Sequence, residues 1–148
     1  MCRWFQDTIE NDPGWLENIW FSDESHFHLS GHVNRRSCIF WGTSPPDEVF
    51  EMPLQSPKCT AFVAMSSKEI IGPFWFESEE GETETINKER YVDVVRRFIR
   101  ELKRRQGVSI RQAWFQQDGA TPHTSNFALT FLREVFGNRI ISKQAEHE

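Results

Sequence analysis

The stretch Ala113-Trp114-Phe115-Gln116-Gln117-Asp118-Gly119-Ala120-Thr121-Pro122-His123-Thr124-Ser125 constrains the fold of this chain more than any other. Ala113 to Phe115 is short, apolar and aromatic, the composition of a buried strand. A carboxylate follows at the strand's end, where Gly119 and Thr121-Pro122 demand a turn. From His123 the apolar residues recur at helical spacing. Strand, acid, tight turn and helix together set a charged group above the carboxyl edge of an open α/β sheet. Asp118 in that position serves chemistry or a metal, or caps the helix that follows it; the local pattern leaves both open.

The residues on either side supply the rest of such a sheet. Residues 2–11 form a short amphipathic helix with Trp4, Phe5 and Ile9, stopped by Asn11-Asp12-Pro13-Gly14. Residues 18–29 read as a strand, 30–32 as a turn, and 33–41 as an edge strand or extended arm. Pro45, Pro46, Pro53 and Pro57 make 42–57 a loop. A hairpin of 59–66 and 69–77 turns about Ser66-Ser67-Lys68, with Pro73 sending its second strand to an edge. Asn87 caps a helix to about Gln106, striped by Tyr91, Val94, Val95, Phe98 and Leu102 and closed by Gly107. A strand over 110–117, a helix over about 122–136 burying Phe127, Leu132, Val135 and Phe136, and a short strand over 139–142 complete the order. Residues 144–148 form a fraying tail. The long helix is a crossover, so the Asp118 strand is expected to run parallel to others in one sheet.

A second unusual acid lies in the first strand. Under period two, Ile19, Phe21, Phe27 and Leu29 share a face, which Asp23 and Ser25 interrupt. An acid on an apolar face is costly unless paired. Glu24 points the other way and reads as solvated. If the two strands are neighbours, Asp23 and Asp118 meet at one sheet edge.

Charge and cysteine content narrow the function classes. A net charge of −5 excludes a protein that coats nucleic acid indiscriminately. The cluster Arg96, Arg97, Arg100, Lys103, Arg104 and Arg105 reads as a solvated helix face ahead of a phosphate contact. Cys2, Cys38 and Cys59 are odd in number and widely spaced, as in a reducing, intracellular setting without a disulfide frame or thiolate zinc site. There is no signal-peptide layout and no apolar run of membrane-spanning length.

Paired carboxylates on neighbouring strands suit Mg²⁺ or Mn²⁺, hard cations that take oxygen ligands. Two such ions about 4 Å apart promote in-line phosphoryl displacement, usually with a third acid completing the cage. No other acid in the chain has a comparable strand-end setting. His26, His28 and His32 form a rival cluster, with zinc geometrically accessible to two strand histidines at i, i+2 and a third after a turn. No Ser sits on a Gly-x-Ser-x-Gly elbow, which disfavours a hydrolase triad.

Phe21-Ser22-Asp23-Glu24-Ser25-x-Phe27 and Gln116-Gln117-Asp118-Gly119-Ala120-x-x-His123 resemble the first two acidic motifs of the Tc1/mariner-type transposases, DDE-superfamily endonucleases. The hairpin's Val63-Ala64-Met65-Ser66 and Gly72-Pro73, and the helix after it, are similar too. The resemblance covers about residues 2–142. It implies an α/β fold, a ribonuclease H-like mixed sheet flanked by helices, with the C-terminal helix missing. It implies a truncated domain over 1–143 with an inserted arm over 31–57. Asp23 and Asp118 would be catalytic metal ligands for Mg²⁺ or Mn²⁺, with His123 supporting the second motif by hydrogen bonding or on the substrate side. Arg35 and Arg36, with Trp41, would touch DNA or a partner protein, and the 31–57 arm would reach the second subunit of a homodimer. The implied partner is transposon-end DNA, the implied compartment the nucleus.

The family's third acid falls roughly 35 residues after the second, beyond a strand and a Ser-Pro-Asp-like motif. Counted from Asp118 that position lies past Glu148, and Glu146 and Glu148 come early, in a tail unlike the family. Gly119 stands where relatives commonly carry Asn. The expected function is therefore a transposase-derived nucleic-acid-binding domain of the DDE class, inactive in strand cleavage and transfer as this chain stands. The alternatives are an active endonuclease core, a catalytically dead domesticated module contacting DNA or protein, and a His-cluster zinc domain.

Overall fold

The computed structural model describes residues 2–28, 43, 57–105 and 109–143 of the chain. Helix α1 (Cys2–Asn11) leads through a single 3-10 turn (Trp15–Asn18) into strand β1 (Ile19–His28). The hairpin β2 (Lys58–Met65) and β3 (Ile70–Trp75) follows, then helix α2 (Lys88–Arg104), strand β4 (Trp114–Gln116), helix α3 (Asn126–Phe136) and strand β5 (Ile140–Ile141). The five strands make one mixed sheet in the order β3-β2-β1-β4-β5. β1–β2 and β2–β3 are antiparallel, whereas β1–β4 and β4–β5 are parallel, as the crossover through α2 requires.

Local chemistry explains the main elements. The Asn87 side chain accepts the Arg90 N–H at 2.8 Å and caps α2. The stripe of α2 is buried as its spacing demands, with Tyr91, Val92, Val95, Phe98 and Leu102 at 0–1% exposure. Pro73 lies in the sheet-edge strand β3, where a missing N–H costs no ladder bond. Gly72 precedes it with φ +126°, beside a register shift at Phe62/Ala64, and a Cβ there would meet the Phe62 carbonyl oxygen at 3.0 Å. Ser125 caps α3 by accepting the Ala128 N–H at 3.2 Å, and Gly137 ends that helix at φ +61°.

Two clusters bury the sheet unevenly. On one face α2 and α3 pack Phe98, Leu102, Leu132 and Phe136 against Trp20, Phe62 and Phe115. On the other, α1 and the 3-10 turn bring Trp4, Phe5 and Trp15 onto Ile19, Trp114 and Ile141, with Trp4 and Trp15 edge to face at 5.4 Å. The rest of that second face, along β1, β2 and β3, is open among the described residues.

This overturns the face expected for β1. Both faces of the strand carry large apolar residues, so period two alone does not say which face is covered. The helices cover Trp20, Ser22 and Glu24, whereas Phe21 and Phe27 are 39% and 53% exposed and Asp23 is exposed between them. Phe127, expected in the core, is also exposed, because α3 starts at Asn126 and turns Ala128, Leu129, Leu132 and Phe136 inward. The strand expected over 110–117 shortens to 114–116, and the arginine-rich end of α2 is a solvated face. Arg96 pairs with Asp93, Arg104 with Glu101 and Arg105 with Glu69.

Candidate functional site

Asp23 and Asp118 come together through the β1–β4 pairing. The parallel register sets Ile19 beside Trp114 and Phe21 beside Gln116; two residues further along come Asp23, still within β1, and Asp118, just past the end of β4. Both line one groove of about 660 Å³ on the open face, bordered also by Phe21, Val63, Pro73 and Trp75. The Ser22 hydroxyl donates to the Gln116 carbonyl oxygen at 2.8 Å and fastens the end of β4 to β1. The acids are therefore adjacent, as expected, but on a solvated face rather than a buried one.

Each aspartate is held by one oxygen. Asp23 Oδ1 accepts the Glu24 N–H at 2.8 Å. Asp118 Oδ1 accepts the Ala120 N–H at 2.9 Å and His123 Nδ1–H at 2.5 Å. Neither Oδ2 has a partner among the described residues, so both carboxylates keep an oxygen for a ligand in the groove. The donor chemistry fits a hard divalent cation, which takes one or two carboxylates and fills its remaining positions with water or phosphate. No cluster of three or more His, Cys, Asp or Glu suited to a metal occurs among the described residues.

His123 lies behind Asp118 and is 4% exposed. Its Nε2 faces Glu24 Oε2 at 3.2 Å, so the two ring nitrogens point at two different carboxylates. Burial alone would lower its pKa, but the hydrogen bond and charge of Glu24, joined by Asp118, outweigh it and raise the imidazole above its ordinary 6.5. Both carboxylates are satisfied together only when both ring nitrogens carry a proton, the form that the two acids favour. The ring of His123 is thus buried with each nitrogen against a carboxylate. Glu24, expected to be solvated, is instead mostly covered and paired.

A further layer holds the histidine. Tyr91 stacks on its ring at 4.0 Å and 26°. The Tyr91 hydroxyl donates to Gln117 Oε1 at 2.6 Å, and Gln117 Nε2 donates to the His123 carbonyl at 3.0 Å and to Ser142 Oγ at 3.3 Å. Sequence reading missed these partners because Tyr91 looks like one more apolar residue of the α2 stripe. The signal that could have revealed them is Gln117, an amide next to Asp118 at the end of a buried strand.

Burial, then the charges of Glu24 and Asp118, push the Tyr91 phenol well above its ordinary 10.0. A raised folded-state pKa means the native chain holds its proton when the unfolded chain has lost it. Stability is therefore complete below pH 10.0 and declines as pH rises from there towards the folded value. Tyr91 is the only tyrosine in the chain, so tyrosinate absorbance reports it alone. The phenol is expected to titrate above pH 10.0, together with loss of the fold measured by circular dichroism. A free titration at 10.0 with the fold intact would contradict the burial.

Other expected site residues fare differently. Arg35, Arg36, Trp41, most of the 31–57 arm, Leu29, Gly107 and the tail 144–148 with Glu146 and Glu148 lie outside the described residues. Of the histidine cluster, His32 lies outside them too. His26 Nδ1 is 2.7 Å from Thr60 Oγ1, and burial, then Lys58 and His28, lower its pKa. No helix among the described residues is long and apolar enough to cross a membrane.

No protein-family model matches the chain, and no curated protein matches it by sequence. Solved structures do match. A crystal structure of a pre-cleavage Mos1 transpososome has a TM-score of 0.69 at 17% identity, covering 95% of this chain and 40% of that one. The Mos1 mariner paired-end complex with Mn gives 0.68 at 19%, covering 99% and 40%. The Mos1 transposase catalytic domain with raltegravir and Mg gives 0.64 at 18%, covering 99% and 57%. The chain thus spans about two-fifths to three-fifths of the length of these proteins. At such identities the likeness concerns the fold: this chain has an α/β, ribonuclease H-like fold similar to that of the mariner Mos1 transposase catalytic domain.

Proposed function

We propose that the chain is a transposase-derived nucleic-acid-binding domain of the DDE endonuclease class, with Asp23 and Asp118 as ligands of Mg²⁺ or Mn²⁺. The observation that supports it is the pair of aspartates on adjacent parallel segments, Asp23 within β1 and Asp118 just past the end of β4, each with an oxygen open to one groove. Structural neighbours solved with Mg, with Mn and with transposon ends favour the same cation and polymer. A bound divalent ion would supply Lewis acidity at a phosphodiester. The chain's own residues hold the two carboxylates in place, and the groove beside them offers Phe21 and Trp75 as apolar walls. In this reading Arg35 and Arg36 contact DNA phosphates, the 31–57 arm reaches a second copy, and the place of action is the nucleus.

With two carboxylates and no third among the described residues, the chain binds metal and DNA without cutting. The test is nicking and strand transfer on supercoiled plasmid with Mn²⁺, beside Mn²⁺ binding followed by electron paramagnetic resonance. The expected result is Mn²⁺ binding without cleavage. Cleavage lost in Asp23→Asn would contradict the inactivity, and absence of any Mn²⁺ binding would contradict the metal site.

A further inference from the structure

We infer that Glu24 is a positioning residue for Asp118, acting through His123; the inference rests on the two-carboxylate reading above. Strand alternation sets the Glu24 side chain on the face of β1 opposite Asp23, towards the helices. There its side chain is 9% exposed, a costly setting for a carboxylate without a partner. Its partner is His123 Nε2 at 3.2 Å, while Nδ1 of the same ring reaches Asp118 Oδ1 at 2.5 Å.

Three groups, from β1, the loop after β4 and the turn before α3, thus form one line, Glu24–His123–Asp118, running from the covered face to the groove. The ring cannot tilt freely, since Tyr91 stacks on it and Gln117 holds the His123 carbonyl. Its rotation about χ2 is fixed by which acceptor each nitrogen finds. Glu24 supplies the inner acceptor, so it decides that Nδ1 faces Asp118. Asp118 Oδ1 is then committed to the ring and to Ala120 N–H, leaving Oδ2 as the oxygen presented to the groove. An outer carboxylate that orients a metal-ligating imidazole is a known way to tune a centre. Here the imidazole is itself one step removed from the metal, with a ligand carboxylate in front of it.

The test uses the whole chain and two independent readouts. One is the imidazole N–H signals of His123 in ¹⁵N-histidine-labelled protein, assigned by their loss in His123→Asn. The other is Mn²⁺ affinity. Glu24→Ala is expected to shift or abolish the hydrogen-bonded His123 N–H signal and to weaken Mn²⁺ binding about tenfold or more. Glu24→Gln keeps an acceptor for Nε2–H and is expected to recover most of both. A folded Glu24→Ala variant with both readouts unchanged would overturn the inference, as would Glu24→Gln behaving like alanine. If alanine prevents folding, Glu24→Asp retracts the carboxylate by one methylene; unchanged readouts there would equally overturn it. Loss of the His123 signal in Glu24→Ala, in a protein that binds no Mn²⁺ even as wild type, supports the positioning role and counts only against the metal reading.

Discussion

Phe98→Ala is expected to destabilise the chain by about 3–5 kcal/mol, the range for removing a fully buried aromatic. Phe98 has 0% exposure and sits where α2 crosses the sheet. Its ring lies 5.5 Å from Trp20 on β1, 6.2 Å from Phe62 on β2 and 5.8 Å from Phe115 on β4. Three strands therefore lose a shared contact at once, and the neighbouring rings are too rigid to close the cavity. Domains of this size have a total stability of about 5–15 kcal/mol, so the variant is left marginal or unfolded. Urea unfolding of wild type and variant measures the difference. A loss below about 1 kcal/mol would mean that α2 does not pack on the sheet as described.

The second large effect concerns metal. Asp23→Asn and Asp118→Asn each remove one of two negative charges from a site that has no third acid among the described residues. Each is expected to weaken Mn²⁺ binding by more than the roughly 10–100-fold typical of an outer partner of a metal ligand. Asp23 is exposed and its one described bond is to the adjacent backbone, so Asp23→Asn should leave the unfolding midpoint unchanged. Asp118→Asn should also perturb His123, whose nearer carboxylate becomes an amide. Titrations of Mn²⁺ into wild type and both variants, with thermal melts alongside, separate the two behaviours. Equal affinity in wild type and Asp23→Asn would remove Asp23 from the site.

Much of this architecture could be read from the chain because its signals are local. Asn87 followed by a 3.6-residue apolar stripe, Pro73 at an edge, and an acid between the Phe115 strand and a Pro-containing turn each specify their element without reference to anything distant. The parallel direction of the Asp118 strand followed from connectivity, since a helix the length of α2 between hairpin and strand carries the chain back across the sheet, but connectivity alone does not say that its neighbour is β1. The covered face of β1 could not be read this way. Trp20 and Phe21 are both large and apolar, and only the position of α2 decides which one is buried. Glu24 was misjudged for the same reason: a carboxylate on the helix-covered face is intelligible only once His123, some hundred residues later, is seen to meet it. Tyr91 and Gln117 belong to the same class, polar groups whose partners are remote in sequence and adjacent in space.

The central claim is that Asp23 and Asp118 share one metal ion across the β1–β4 edge. Crystals of the chain soaked in Mn²⁺ and measured at the manganese absorption edge test it directly. The predicted result is an anomalous peak in the open-face groove touching a carboxylate oxygen of each aspartate. A groove without a peak, or a peak bound by one aspartate while the other stands apart, would contradict it.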